Sequence, residues 1–143
     1  MKFTIDSIKN KELLCEFVEY EAKGIYENPK TRKGRSYEHV RSSVLQGKVA
    51  EVYLIETGNY TKSERKYHDI VDKNGREIEV KAYANTSVFS SEVKRDLERL
   101  EKASWNQSEW YFLFSYDSGT YELVAKLKIR RNITSILTKK QYV

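Results

Sequence analysis

The chain has 143 residues, 33% of them charged and 39% hydrophobic, with a net charge of +5. That is enough for one domain with a real core, and the longest apolar runs fall far short of a membrane span. A single cysteine, Cys15, excludes an internal disulfide and fits a reducing cytoplasm; with only His39 and His68 beside it, no zinc ligand set has usable spacing. Met1–Asp6 reads as no signal peptide, because no apolar run follows Lys2.

The charge is unevenly placed. Pro29–Ser36 holds Lys30, Arg32, Lys33 and Arg35 without an acid, and Leu123–Val143 holds Lys126, Lys128, Arg130, Arg131, Lys139 and Lys140 without one. Such clusters suit a polyanion, nucleic acid foremost, and are equally what a solvated surface looks like.

In chain order, Asn10 predicts an N-cap for a helix over Lys11–Lys23, with Leu13, Leu14, Phe17, Val18 and Tyr20 on its apolar face and Gly24 as C-cap. Cys15 falls inside it as a small buried or half-buried residue. Glu27–Arg35 reads as a loop, either a flexible basic contact for phosphate or a solvated linker. Ser36 then caps a helix whose apolar positions, among them Tyr37, Val40, Val44, Val49 and Val52, recur up to Gly58; Gly47 is placed to kink or split it. Glu51 lies in that helix among Val49, Ala50, Val52 and Tyr53. It sits either at the solvent edge of the stripe or inside it, where it needs a partner charge or a cation.

Lys66–Lys81 reads as two strands around an Asn74-Gly75 turn. On the second strand Ile78 and Val80 share one face, Glu79 and Lys81 the other. If the first strand ends near Asp69 and bends, Asp69 comes to lie beside Glu79. Beyond it, Ala82–Phe89 is irregular or extended, and Ser90 or Ser91 caps a helix over Glu92–Lys102 with Val93, Leu97 and Leu100 inward. Glu109–Tyr116 is apolar on both faces, as in a central strand. After an Asp117–Thr120 turn, Tyr121–Arg130 alternates with Leu123, Ala125, Leu127 and Ile129 inward. Ile133, Ile136 and Leu137 mark a C-terminal helix or turn. The order α-α-β-β-α-β-β-α predicts a single α/β domain over residues 1–143, with a central mixed β-sheet of four to five strands flanked by helices.

Two carboxylates and a lysine meeting at one point suit hydrolysis of a phosphodiester. Magnesium takes hard oxygen ligands, which Asp69, Glu79 and the Val80 carbonyl would supply. Lys81 would orient or help deprotonate the attacking water and offset transition-state charge, and Glu51 would complete the anionic pocket from the helix side. Glu-x-Lys on an amphipathic strand is by itself most often a solvated face; its combination with Asp69 across the turn and with Glu51 upstream gives it weight.

These residues resemble the PD-(D/E)XK nuclease superfamily, whose core is an Asp, a hairpin and Glu-x-Lys. More narrowly, His68–Lys81 looks like the active-site hairpin of PvuII-type type II restriction endonucleases, and Gln46–Gly58 is similar to the helix before it. About half of the chain is covered, the strands at Trp110–Tyr116 and Leu123–Ile129 less specifically. The resemblance implies a restriction-endonuclease-like fold and a metal-dependent endodeoxyribonuclease. Asp69 and Glu79 would bind Mg²⁺ (Mn²⁺ substituting), Lys81 would assist the water, and Glu51 would match a helix acid. It also implies a homodimer acting on double-stranded DNA, with base-reading groups just after the lysine strand, at Asn85, Thr86 and Ser87. His68 stands where the pattern has Pro, a common variation; the departures that bear on sequence specificity are the short chain and the few base-reading side chains after Lys81. The alternative is therefore a structure-selective member such as a Holliday-junction resolvase acting on branched DNA. A further alternative is a non-catalytic DNA-binding module that kept the fold.

Overall fold

The computed structural model describes residues 1–64, 69–103, 108–129 and 140–142, the last three by backbone alone. The segment at Ile133, Ile136 and Leu137 expected to pack as a helix or turn lies outside the described residues, as do His68, Arg130, Arg131 and Lys139. A short strand β1 (Lys2–Thr4) and a 3₁₀ turn open the chain. In α1 (Lys11–Glu27) the Asn10 side chain accepts the Leu13 N–H at 2.9 Å, and Leu14, Val18 and Ala22 recur every four residues as its buried stripe. The helix runs past Gly24, the expected C-cap, because Ile25 and Tyr26 continue its packing against the core. Cys15, expected to be buried or half-buried, is exposed.

Where a loop was expected, Asn28 caps a short helix α2 (Pro29–Arg32), with Pro29 in its first turn. Lys33 and Gly34, at φ 54° and 72°, end it. Ser36 caps α3 (Tyr37–Glu56), which continues unbroken through Gly47. Next come β2 (Tyr60–Lys62), β3 (Ile70–Asp72), β4 (Glu77–Ala84), α4 (Ser91–Lys102), β5 (Trp110–Asp117), β6 (Thr120–Ile129) and β7 (Lys140–Tyr142).

Among the described residues the sheet has seven strands in place of four to five: β1-β6-β5-β4-β3-β2, with β7 also on β6. The surplus comes from β1, β2 and β7, each of three residues. β4 and β5 run parallel, joined by the crossover through α4, and the other pairings are antiparallel. α1 and α3 cover one face through a core that includes Val18, Val49, Val52, Ile78, Val80 and Phe114. α4 covers the other through Val93, Leu97, Tyr111, Leu113 and Leu127. The mixed α/β arrangement expected from the element order is thus present.

β6 holds a departure from simple alternation. Its pairing with β5 shifts between Leu113 and Phe114, so that Leu113 faces Ala125 and Phe114 faces Leu123, with Val124 as the extra residue. One inserted residue turns the rest of the strand to the opposite face. Leu123 packs toward α1 and α3, whereas Ala125, Leu127 and Ile129 pack toward α4. The four residues expected on one inward face are divided between two.

Candidate active site

The turn between β3 and β4 is built by Asp72 as much as by Asn74-Gly75. One oxygen of the Asp72 carboxylate accepts the N–H groups of Asn74 and Arg76, at 2.8 and 2.9 Å. Gly75 supplies the positive φ of 78°. The closed turn fixes Ile70 opposite Ile78 and Val71 opposite Glu77. One step further along that register Asp69 comes level with Glu79.

There the ladder ends. The Asp69 backbone carbonyl instead accepts the Ser63 N–H at 3.1 Å, and its side-chain Oδ2 accepts the Val80 N–H at 2.8 Å. Asp69 is thereby pinned against β4 at the residue between Glu79 and Lys81. A strand residue's N–H and C=O leave the same edge, so the Val80 carbonyl also faces this side. Among the described residues, no strand pairs β4 beyond Ile78 on that edge. Glu79 and Lys81 share a face with Tyr83, toward the α4 layer, and Glu79 is 5% exposed. Burial, then the neighbouring Asp69, push the Glu79 carboxyl up to about 8, against the pull of Lys81.

Glu51 reaches this edge from α3 and is buried, not at the solvent edge of its stripe. It has the partner charges that such burial requires: Lys48 Nζ at 2.7 Å on Oε2 and Lys62 Nζ at 2.9 Å on Oε1. Burial, then Asp69, raise its carboxyl above the ordinary range, and the two lysines oppose the rise. Lys48 also faces Glu21 at 3.6 Å and Asp69 Oδ1 at 3.9 Å. Burial works to lower the Lys48 ammonium, but Glu51, Asp69 and Glu21 outweigh it and raise it. Sequence reasoning missed Lys48 and Lys62. The available signal was Lys48 three residues before Glu51, on the same helix face.

The four catalytic candidates, Glu51, Asp69, Glu79 and Lys81, thus converge on one edge of β4. Among the described residues no group of three or more His, Cys, Asp or Glu side chains is arranged to hold a metal by itself. The expected set is smaller: two carboxylates, Asp69 and Glu79, and the Val80 carbonyl. These all-oxygen donors fit Mg²⁺, which is commonly held through one or two carboxylates and keeps several waters. Buried Glu79, crowded by Asp69 and Glu51, is also a site that a divalent cation would relieve.

The DNA-contact candidates fall in two places. In the α2 segment Lys30 and Lys33 are exposed. Arg32 donates to the Tyr26 carbonyl and stacks 5.1 Å from the Tyr26 ring centroid, and Arg35 donates to the carbonyls of Arg32 and Thr31. The arginines therefore brace the segment. Asn85, Thr86 and Ser87 form a turn after β4: the Ser87 hydroxyl donates to the Ala84 carbonyl, while Asn85 and Thr86 are exposed. No helix among the described residues is long and apolar enough to cross a membrane.

Comparison with protein-family models, curated proteins and solved structures gives no match.

Proposed function

We propose that this chain is a Mg²⁺-dependent DNA endonuclease, with Mn²⁺ able to substitute, on a restriction-endonuclease-like fold of the PD-(D/E)XK type. The observation that carries the reading is the meeting of Asp69 with the Glu79-Val80-Lys81 strand, pinned by the Asp69–Val80 hydrogen bond at 2.8 Å. Asp69, Glu79 and the Val80 carbonyl hold the metal. When bound, Mg²⁺ supplies a Lewis acid and a water of lowered pKa. Lys81, next to Glu79 on the same face, would orient the attacking water and offset charge on the phosphoryl oxygens. The open edge of β4 is where a phosphate backbone approaches.

Exposed Asn85 and Thr86, just beyond Lys81, support base reading by a restriction-type enzyme, Asn being suited to adenine. That they are so few favours, as a second reading, a structure-selective enzyme of the Holliday-junction type. Either kind acts as a homodimer, one strand per subunit. The buried stripe of α1, Leu14, Val18 and Ala22, closes the monomer core, whereas Tyr20, expected on the same apolar face, is 86% exposed.

The test is incubation of plasmid and branched DNA with wild type, Asp69→Asn and Lys81→Ala, in Mg²⁺ and in EDTA. The proposal expects cleavage by wild type in Mg²⁺ alone. Discrete linear products indicate the restriction reading, and cutting confined to junctions indicates the resolvase reading. No metal-dependent cleavage of either substrate contradicts both and leaves a DNA-binding module.

A further inference from the structure

The proposed reaction leaves Lys48 without a part, although it is 7% exposed and points into the pocket. Its nearest partner is Glu51 Oε2 at 2.7 Å, and the other Glu51 oxygen takes Lys62 at 2.9 Å. Both oxygens of Glu51 are thus held by ammonium groups. Glu51 is placed to hold lysines, not to ligate a metal.

Asp69 divides its oxygens differently. Oδ2 is committed to the Val80 N–H, so Oδ1 is the oxygen left for a metal, and Oδ1 is the one that Lys48 faces at 3.9 Å. The long contact on the hairpin side, against 2.7 Å on the helix side, shows Lys48 anchored on α3 and leaning toward Asp69. It can give up Asp69 and keep its best partner.

We propose that Lys48, anchored by Glu51, is the resident cation of the carboxylate pocket and sets its metal affinity by competing with a divalent ion for Asp69 Oδ1. The inference rests on the reading of Asp69 and Glu79 as metal ligands. Lys48 is a positioning residue. It keeps the carboxylates together while no metal is bound, and it weakens the metal's hold. Without it, the lysines that remain beside these carboxylates among the described residues are Lys62 at Glu51 and Lys81 at Glu79, and the attraction for a divalent cation rises.

Calorimetric titration of Mn²⁺ into the full chain without DNA reads this directly. Lys48→Met is expected to tighten the Mn²⁺ Kd by about tenfold or more. Lys62→Met, whose ammonium is ion-paired with Glu51 but not Asp69, is expected to change it by less than about threefold. A Kd in Lys48→Met equal to or weaker than that of wild type overturns the proposal. Should that variant not fold, the wild-type protein answers by NMR of its lysine ammonium groups: the Lys48 signal is expected to shift together with the Val80 amide as Mg²⁺ is added. A Lys48 signal that stays fixed while Val80 moves overturns the proposal. No Mn²⁺ binding in wild type, or a Kd that Asp69→Asn leaves unchanged, removes the ligand assignment itself, and the two failures are thereby told apart.

Discussion

Under the proposed function, Glu79 pits metal binding against stability within one side chain. Its carboxyl sits at about 8 in the folded protein, against an ordinary 4.5. Between those values the folded state holds a proton that the unfolded state has released. The stabilisation it contributes is fully present below pH 4.5 and is lost as pH rises through 8; the swing is on the order of a few kcal/mol. Glu79→Gln keeps the shape and removes the charge. It is expected to raise the melting temperature at pH 8.5 by several degrees, to leave it nearly unchanged at pH 4, and to abolish cleavage. Thermal denaturation at the two pH values checks this, and a Gln variant less stable than wild type at pH 8.5 contradicts it. Asp69, Glu79 and Lys81 were legible in the sequence because a two-residue period and a hairpin turn are local signals. Lys48 carried one local signal, Glu51 three residues on; its other partners, Glu21 from α1 and Asp69 just before β3, are distant in the chain and could not be read from spacing.

At the scale of elements, the β3–β4 turn is the device that places Asp69. Asp72→Ala removes the acceptor of two backbone N–H groups in an exposed turn, and a loss of about 1 kcal/mol is expected. Gly75→Ala forces a Cβ into φ 78°, for a further loss of roughly 1 kcal/mol. Because the turn also sets which residue meets Glu79, both variants should weaken Mn²⁺ binding as well as lower the denaturation midpoint. Lowered stability with unaltered metal affinity would show that the register does not depend on the turn. The three long helices were readable from their caps, Asn10, Ser36 and Ser90, and their apolar spacing. β1 and β2 were not, since three residues cannot display a two-residue period. The division of β6 between two faces was hidden for a related reason: a bulge leaves the alternation along the chain intact and changes only where it points.

For the whole molecule, the proposed function requires a surface on which DNA could lie. Glu51 is fourteen residues along α3 from Tyr37, about 20 Å at the helical rise, so the α2 segment lies roughly a duplex width from the carboxylates. A duplex seated at the open edge of β4 can reach both. Neutralising Lys30, Arg32, Lys33 and Arg35 together should flatten the salt dependence of DNA binding. Lys30 and Lys33 alone should account for most of that, a change of about 2 in the log–log slope, because the arginines are occupied with backbone carbonyls. A slope unaltered by either set means that the segment does not touch phosphate. Lys126 and Lys128, from the second basic cluster, lie over Phe112 and Trp110 at 5.0 and 5.8 Å from the ring centroids, on the face that α1 and α3 cover. The alternation that marked them as outward correctly placed them opposite Leu127 and Ile129, but not beside which aromatic rings they would settle.

The claim on which the rest depends is that Asp69, Glu79 and Lys81 together cleave phosphodiesters. The most direct measurement is single-turnover cleavage of plasmid DNA by wild type and Lys81→Ala, at Mg²⁺ concentrations giving each protein the same metal occupancy by calorimetry. Wild type is predicted to cut in Mg²⁺ and to stop in EDTA, with Lys81→Ala binding metal and DNA but cutting about 100-fold or more slowly. Equal rates for the two proteins, or cleavage that survives EDTA, would contradict it.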